Sequence, residues 1–138
     1  MPQFAFALRS WHAGGYVTLP QTVFITFPNK REIIRISFQL RHDYAPHLDV
    51  PTEFQILATN EAIPPAQSTD GRTNIDGVKW SVLAHAEGVE WASRDAVFAM
   101  EISRCNVGRY HTYGISILKT KTGDLSGRSI SRVRMWGI

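Results

Sequence analysis

Arg41, His42, Asp43, Tyr44, His47 and Asp49 fall within nine residues of one another. Pro46 and Pro51 break regular structure there, so the stretch reads as a loop. A guanidinium, two imidazoles, two carboxylates and a phenol can do a specific kind of work together. Planar polar groups make several directed hydrogen bonds and can fix the hydroxyls of a sugar, while an aromatic face takes the apolar C–H patch of a pyranose. Trp11 and His12 stand just before the paired Gly14 and Gly15, a turn signal. They are expected on a neighbouring loop, where they would add an aromatic to the same site. The competing reading is that Arg41 and Asp43 simply pair, Tyr44 caps the core and Trp11 is a lid on it. Tyr44 and Leu48 beside Arg41 make only a thin case for an anionic lipid surface.

Catalytic and metal readings find less support. Cys105 and His111 are six residues apart, and no acid with a supporting context accompanies them. Cys105 reads as a buried, inert thiol. His12, His42, His47, His85 and His111 show no metal-ligand spacing. No glycine-rich phosphate loop follows a strand and opens a helix. The expectation is a protein that is not an enzyme and has no cofactor.

The elements that must position the loop are strands. Phe54, Ile56 and Ala58 fall at every second position, as on a strand with one buried face. Trp80, Val82 and Ala84 repeat the pattern after a turn-rich interval, residues 60–77, that holds Pro64-Pro65, Asp70-Gly71 and Asp76-Gly77. The segment 32–40 gives a clear strand, with Ile34, Ile36, Phe38 and Leu40 on one face and Arg35, Ser37 and Gln39 on the other. Strands are also expected at 4–8, 16–19, 22–27, 96–102, 110–118 and 130–138, with a turn at Pro28-Asn29-Lys30. Trp80, Trp91 and Trp136 sit at strand starts or ends and read as plugs of the core. No helix is apparent. About eight short strands separated by turns predict an all-β sandwich or barrel.

Composition agrees. A chain of 138 residues fits one domain, residues 1–138, and can bury a proper core. One cysteine rules out an intrachain disulfide. The apolar start is too short for a signal peptide, and no run is long enough for a membrane span. A soluble protein is expected, cytoplasmic or released by a non-classical route, though a removed signal would leave the same chain. The net charge of +3 is mild. The basic residues near the C-terminus, Lys119, Lys121, Arg128, Arg132 and Arg134, suit a solvated sheet face, and nucleic acid is not an expected partner.

The order of these features is a pattern in itself. A strand ends in Gln39-Leu-Arg41; a loop follows, then Phe54-Gln-Ile-Leu-Ala-Thr-Asn60, Trp80-Ser-Val-Leu83, Trp91, Tyr110-His-Thr-Tyr-Gly-Ile-Ser-Ile117 and a last strand closing on Met135-Trp-Gly137. Over roughly residues 16–138 this resembles the discoidin, or coagulation-factor type C, domains of the galactose-binding-like fold, a jelly-roll β-sandwich. The chain lacks the family's usual cysteine pair and most of its N-terminal section, whose acidic turn often holds a structural calcium. The resemblance implies binding rather than catalysis, of glycans, anionic lipid head groups or proteins, through loops at one end of the sandwich. Here the matching loops are Ser10 to Gly15 and Arg41 to Pro51, with the turn Cys105 to Arg109 expected near them.

A lectin-like, carbohydrate-binding module is therefore the leading expectation. The ligand-binding set is Trp11, His12, Arg41, His42, Asp43, Tyr44 and His47, and the partner is a glycan or glycoprotein. A protein–protein, structural or adhesion domain on the same fold is the rival. A homo-oligomer would suit a lectin, because clustered weak sites gain affinity. Trp136 and Ile138 are the candidate subunit contacts.

Overall fold

The computed structural model describes residues 3–12, 21–40, 50–62, 78–92, 96–121 and 129–137, with side chains for all of these except 3–12, 21, 40 and 129–132. The elements are strands β1 (Gln3–His12), β2 (Gln21–Leu40), β3 (Pro51–Thr59), β4 (Ser81–Ala86), β5 (Val97–Glu101), β6 (Arg109–Thr120) and β7 (Ser129–Gly137). A 3-10 turn, Arg104–Asn106, joins β5 to β6. Among the described residues no helix is long and apolar enough to cross a membrane.

Every strand pairing is antiparallel, and β2 takes part in both halves of the structure. Its first arm, Gln21 to Thr26, pairs with β6; its second arm, Ile33 to Leu40, pairs with β7 and β5. A straight strand of this length would extend about 66 Å. The β6 and β7 partners at its two ends are joined only by residues 121–128. From Ile117, the partner of Gln21, to Ile130, the partner of Leu40, the chain reaches about 45 Å at full extension. The chain must therefore fold back inside β2, at the break in register between Thr26 and Arg31. The turn expected at Pro28-Asn29-Lys30 is this fold-back, and the two strands expected at 22–27 and 32–40 are the two arms of one extended segment. The seven strands of the described residues thus make two sheets that share β2, in the orders β1-β7-β2-β5 and β2-β6-β3-β4.

Apolar residues at alternate positions bring the sheets together. Phe54, Ile56 and Ala58 of β3 and Tyr113, Ile115 and Ile117 of β6 are fully buried, as their spacing predicts. Facing them are Ile33, Ile36 and Phe38 of β2 with Val133 and Met135 of β7. Phe38 and Phe54 meet edge to face across the interface, with ring centroids 5.0 Å apart, and Phe98 of β5 lies 4.7 Å from Phe54. On the opposite face of the second sheet, polar cross-strand pairs hold the register: Thr22 Oγ1 donates to Ser116 Oγ at 3.0 Å, and the Thr26 and Thr112 hydroxyls are 2.9 Å apart.

Several expectations are corrected by the structure. Ile33, not Ile34, is the buried isoleucine at the start of the second arm, because the register shifts between Ile33 and Arg35. In β4 the register shifts opposite Ile56 and Leu57, which turns Leu83 into the core and leaves Val82 exposed. Such bulges add one residue to one strand and invert the alternation beyond it. Trp80 precedes β4 and is half-buried, and Trp136 is not a core plug. Met135 points inward, so its neighbour Trp136 lies on the outer face, where the Arg35 guanidinium stands 5.1 Å from its ring. Cys105 is exposed rather than buried, because the 3-10 turn that carries it buries none of its residues.

Candidate functional site

Strand pairing defines which loops share an end of the sandwich. His12 pairs with Ser129, and Leu40 pairs with the adjacent Ile130. Pro51 pairs with Thr120, and the Lys121 N–H donates to the Val50 carbonyl at 2.9 Å. The last residue of β1, the last of β2 and the first of β3 therefore lie together at one end. The other end is marked by Gln3 opposite Gly137 and Ile33 opposite Gly137.

Trp11 and His12 are not on a loop. They are the last two residues of β1, opposite Ile130 and Ser129. β1 continues through Ser10, Trp11 and His12 because β7 offers a partner for each of them. Both positions remain at the end to which β2 delivers the segment that starts with Arg41. Arg41, His42, Asp43, Tyr44 and His47 lie outside the described residues, as do residues 13–20. The turn Cys105 to Arg109 belongs to the opposite end, since Arg109 pairs with Glu32 and Glu32 adjoins Ile33. It is therefore at the end away from His12, Leu40 and Pro51.

The described residues at this end form a braced rim. The Trp91 indole N–H donates to the Pro51 carbonyl at 2.8 Å, and the Val89 N–H to the Thr52 carbonyl at 3.1 Å. Gly88, at φ 64°, provides the left-handed residue that turns the chain after β4. The Trp91 ring lies 6.0 Å from Phe38 and 6.2 Å from Phe98, so it closes the end of the core as its sequence position predicts. Sequence spacing alone did not reveal that it also fixes the first residue of β3.

On the outer face of the second sheet, Glu53, His85 and Glu87 bring their ligand atoms within 4.8 Å of one another. Glu53 is held by two neighbours: His85 Nε2 at 2.8 Å and Lys119 Nζ at 3.5 Å. The hydrogen bond from His85 holds the Glu53 carboxyl below its ordinary value; desolvation opposes it, and Lys119 adds to the lowering. A metal here would compete with an ammonium already placed on the central carboxylate. The arrangement is that of an ion-pair network.

No family model matches the chain, and no curated protein does. Solved structures do. The two-module CBM32-1 and CBM32-2 structure from Clostridium perfringens ZmpB superposes with a TM-score of 0.64 at 19% identity, over 92% of this chain and 28% of that one. CBM32-3 from a family 31 glycoside hydrolase of Clostridium perfringens gives 0.63 at 15% identity, over 94% of this chain and 75% of that one. The family 32 module of Clostridium perfringens NanJ, solved in complex with galactose, gives 0.60 at 15% identity, over 92% and 75%. The ZmpB pair was also solved with GalNAc. The chain has the β-sandwich fold of these carbohydrate-binding modules, which is the galactose-binding-like, discoidin-type fold that its spaced aromatics resemble.

Proposed function

We propose that this protein is a non-catalytic carbohydrate-binding module. It recognises a sugar of the galactose or N-acetylgalactosamine type through the segment 41–49 and the end of β1. The aromatic surface would come from Trp11 and Tyr44. The directed hydrogen bonds would come from Arg41, Asp43, His42, His47 and His12. One observation carries the assignment. His12 and Leu40 pair with the neighbouring residues Ser129 and Ile130, so two segments far apart in sequence reach the same end of the sandwich side by side. The likeness in fold to modules solved with galactose and GalNAc supports the choice of sugar class. Self-association through the outer face around Trp136 would raise the affinity of such sites by clustering.

A glycan array, run with and without calcium and followed by titration with galactose and N-acetylgalactosamine, tests the proposal. Hits sharing one terminal sugar are expected, and Arg41→Ala or Asp43→Ala should abolish them while leaving the unfolding transition nearly unchanged. A folded protein that captures no glycan in either condition would redirect the assignment to protein–protein recognition. Collapse of the fold in both variants would make Arg41 and Asp43 structural.

A further inference from the structure

The end of the sandwich opposite the proposed sugar loops holds a second feature. Where β2 folds back against the start of β6, a cleft of about 390 Å³ opens, lined by Asn29, Lys30, Arg31, Glu32 and Arg109. Three of these residues are cations and one is a carboxylate. Lys30, Arg31 and Arg109 are all exposed. None of the three forms an ion pair among the described residues, where the salt bridges are those of Glu53 with His85 and Lys119. They come from two parts of the chain some eighty residues apart, and only the pairing of Glu32 with Arg109 and of Arg31 with Tyr110 brings them together.

The backbone that carries these charges is fixed from behind. The Tyr113 hydroxyl lies 2.5 Å from the Arg31 carbonyl and accepts the Ile33 N–H at 3.3 Å. The Asn60 side chain donates to the Arg109 carbonyl at 3.1 Å and accepts the His111 N–H at 2.9 Å. The Arg31 guanidinium rests 5.4 Å from the Phe27 ring centroid, which holds the planar fork in one orientation. A concentrated, braced set of cations is a site for an oxyanion, and guanidinium groups favour the paired oxygens of a carboxylate or sulfate.

The lining also bears on what carries the oxyanion. A cleft of about 390 Å³ lies in the range of small-molecule sites and is far larger than a bare ion needs. Glu32 repels a bare anion, yet it accepts hydrogen bonds from hydroxyls. Asn29 can both donate and accept. A ligand that satisfies all five residues carries an oxyanion and several hydroxyls on one compact frame. We propose that this cleft is a second binding site, which takes the sulfate or carboxylate group of an acidic saccharide. It requires none of the residues of the sugar loops at the other end.

Isothermal titration of the full chain at low salt tests this, with four probes: a sulfated heparin-derived oligosaccharide, an oligogalacturonate, galactose and inorganic sulfate. The variants are Lys30→Gln, Arg109→Gln and, as a control of equal charge on β7, Arg134→Gln. The expected result is binding of the sulfated probe, the uronate probe or both, weakened at least about tenfold by Lys30→Gln and by Arg109→Gln, as for loss of a charge-assisted hydrogen bond. Arg134→Gln should change it little. Which probe binds more tightly distinguishes sulfate from carboxylate. An equal loss in Arg134→Gln would overturn the site in favour of diffuse charge attraction. Inorganic sulfate binding as tightly as the oligosaccharides would also overturn it, as would absence of binding by both acidic probes. Lys30 is exposed on the fold-back, so that variant reads the site without burdening the core. Galactose binding should be the same in all three variants, and its absence throughout would count against the loop site alone.

Discussion

The Tyr113 hydroxyl oxygen and the Arg31 carbonyl oxygen are 2.5 Å apart, and this contact fastens the fold-back of β2 to the middle of the structure. The same hydroxyl accepts the Ile33 N–H and lies 3.1 Å from the Gly108 carbonyl. Burial pushes the Tyr113 phenol up to about 12 from 10.0. Tyr113→Phe removes one oxygen and leaves a buried N–H without its acceptor, which should cost about 1–3 kcal/mol. The raised value also makes a prediction for alkaline solution. Above pH 10 the unfolded chain releases this proton and the folded chain keeps it. The tyrosine's contribution to stability is therefore complete below about pH 10 and is lost as pH rises through about 12. Urea unfolding at pH 8 and at successive points up to pH 12 should show a steeper alkaline decline in the native protein than in Tyr113→Phe. Equal declines would place the ionising group elsewhere.

Phe54 is the ring on which both sheets converge. It is fully buried, with Phe38 and Phe98 each meeting it edge to face at 5.0 and 4.7 Å. Phe54→Ala should destabilise by about 3–5 kcal/mol, through lost transfer energy and the cavity left behind. This is a large share of the stability of an ordinary domain of about 5–15 kcal/mol. Phe54→Leu should cost less, because much of the volume is retained. Denaturant midpoints at constant slope would check both, and equal midpoints for the two variants would mean that the site collapses around either one.

These core positions were legible because strand alternation is a local signal. Phe54, Ile56 and Ala58, like Tyr113, Ile115 and Ile117, share the inward face because side chains alternate along a strand, and no long-range fact is needed to see it. The errors occur where two strands shift register. Val82 appeared inward from its spacing with Trp80 and Ala84, yet the bulge facing Ile56 and Leu57 exposes it and buries Leu83. Nothing in β4 alone encodes that shift, since it is a property of the pair. Cys105 illustrates a related limit: a lone thiol with no catalytic partner reads as buried and inert, yet the 3-10 turn places it outside.

The Glu53 network gives a prediction for acid solution. His85 and Lys119 hold the carboxyl below its ordinary 4.5, so its contribution is present above that value and is lost as pH falls through the lowered one. A carboxyl-detected NMR titration should find Glu53 titrating below 4.5 in the native protein. His85→Gln should raise it more than Lys119→Gln does, since the His85 hydrogen bond is the larger cause. The reverse order would mean that the ammonium dominates.

Gly137 approaches the chain so closely that a Cβ there would stand 2.5 Å from the Glu32 carbonyl oxygen and 3.3 Å from Ile33 Cδ1. The first neighbour is backbone, which cannot swing aside. Gly137→Ala should therefore separate β7 from the fold-back and cost about 1–3 kcal/mol, as overpacking does. Hydrogen exchange would locate the effect: faster exchange at Ile33 and Arg35 with no change along β3 is the expected pattern. A uniform change would mean global loss instead.

The candidate sites differ in how far sequence could reach them. The stretch from Arg41 to Asp49 is a candidate from sequence because its polar groups are contiguous, and it lies outside the described residues. The cleft of Lys30, Arg31 and Arg109 is not such a candidate, because its two halves meet only through the pairing of β2 with β6. The fold-back was recognised as a turn from Pro28-Asn29-Lys30, but a turn signal says nothing about what faces it. For Trp11 and His12 the sequence predicts a loop and the structure extends β1 through them, since two glycines mark where a strand can stop and its partner decides where it does.

Trp91 separates packing from hydrogen bonding at the end of the sandwich where β2 ends and β3 begins. Its ring packs against Phe38 and Phe98, and its indole N–H reaches the Pro51 carbonyl, the first residue of β3. Trp91→Phe retains an aromatic ring and deletes the donor, so about 0.5–1.5 kcal/mol should be lost. Trp91→Ala deletes both and should cost about 3–5 kcal/mol. If the hydrogen bond fixes the end of the 41–49 segment, Trp91→Phe should weaken sugar binding by more than its small effect on stability predicts, with normal binding at the cleft on the opposite end. Parallel titrations of galactose and of an acidic oligosaccharide against this one variant would read both ends of the molecule. An unchanged galactose affinity would restrict Trp91 to closing the core.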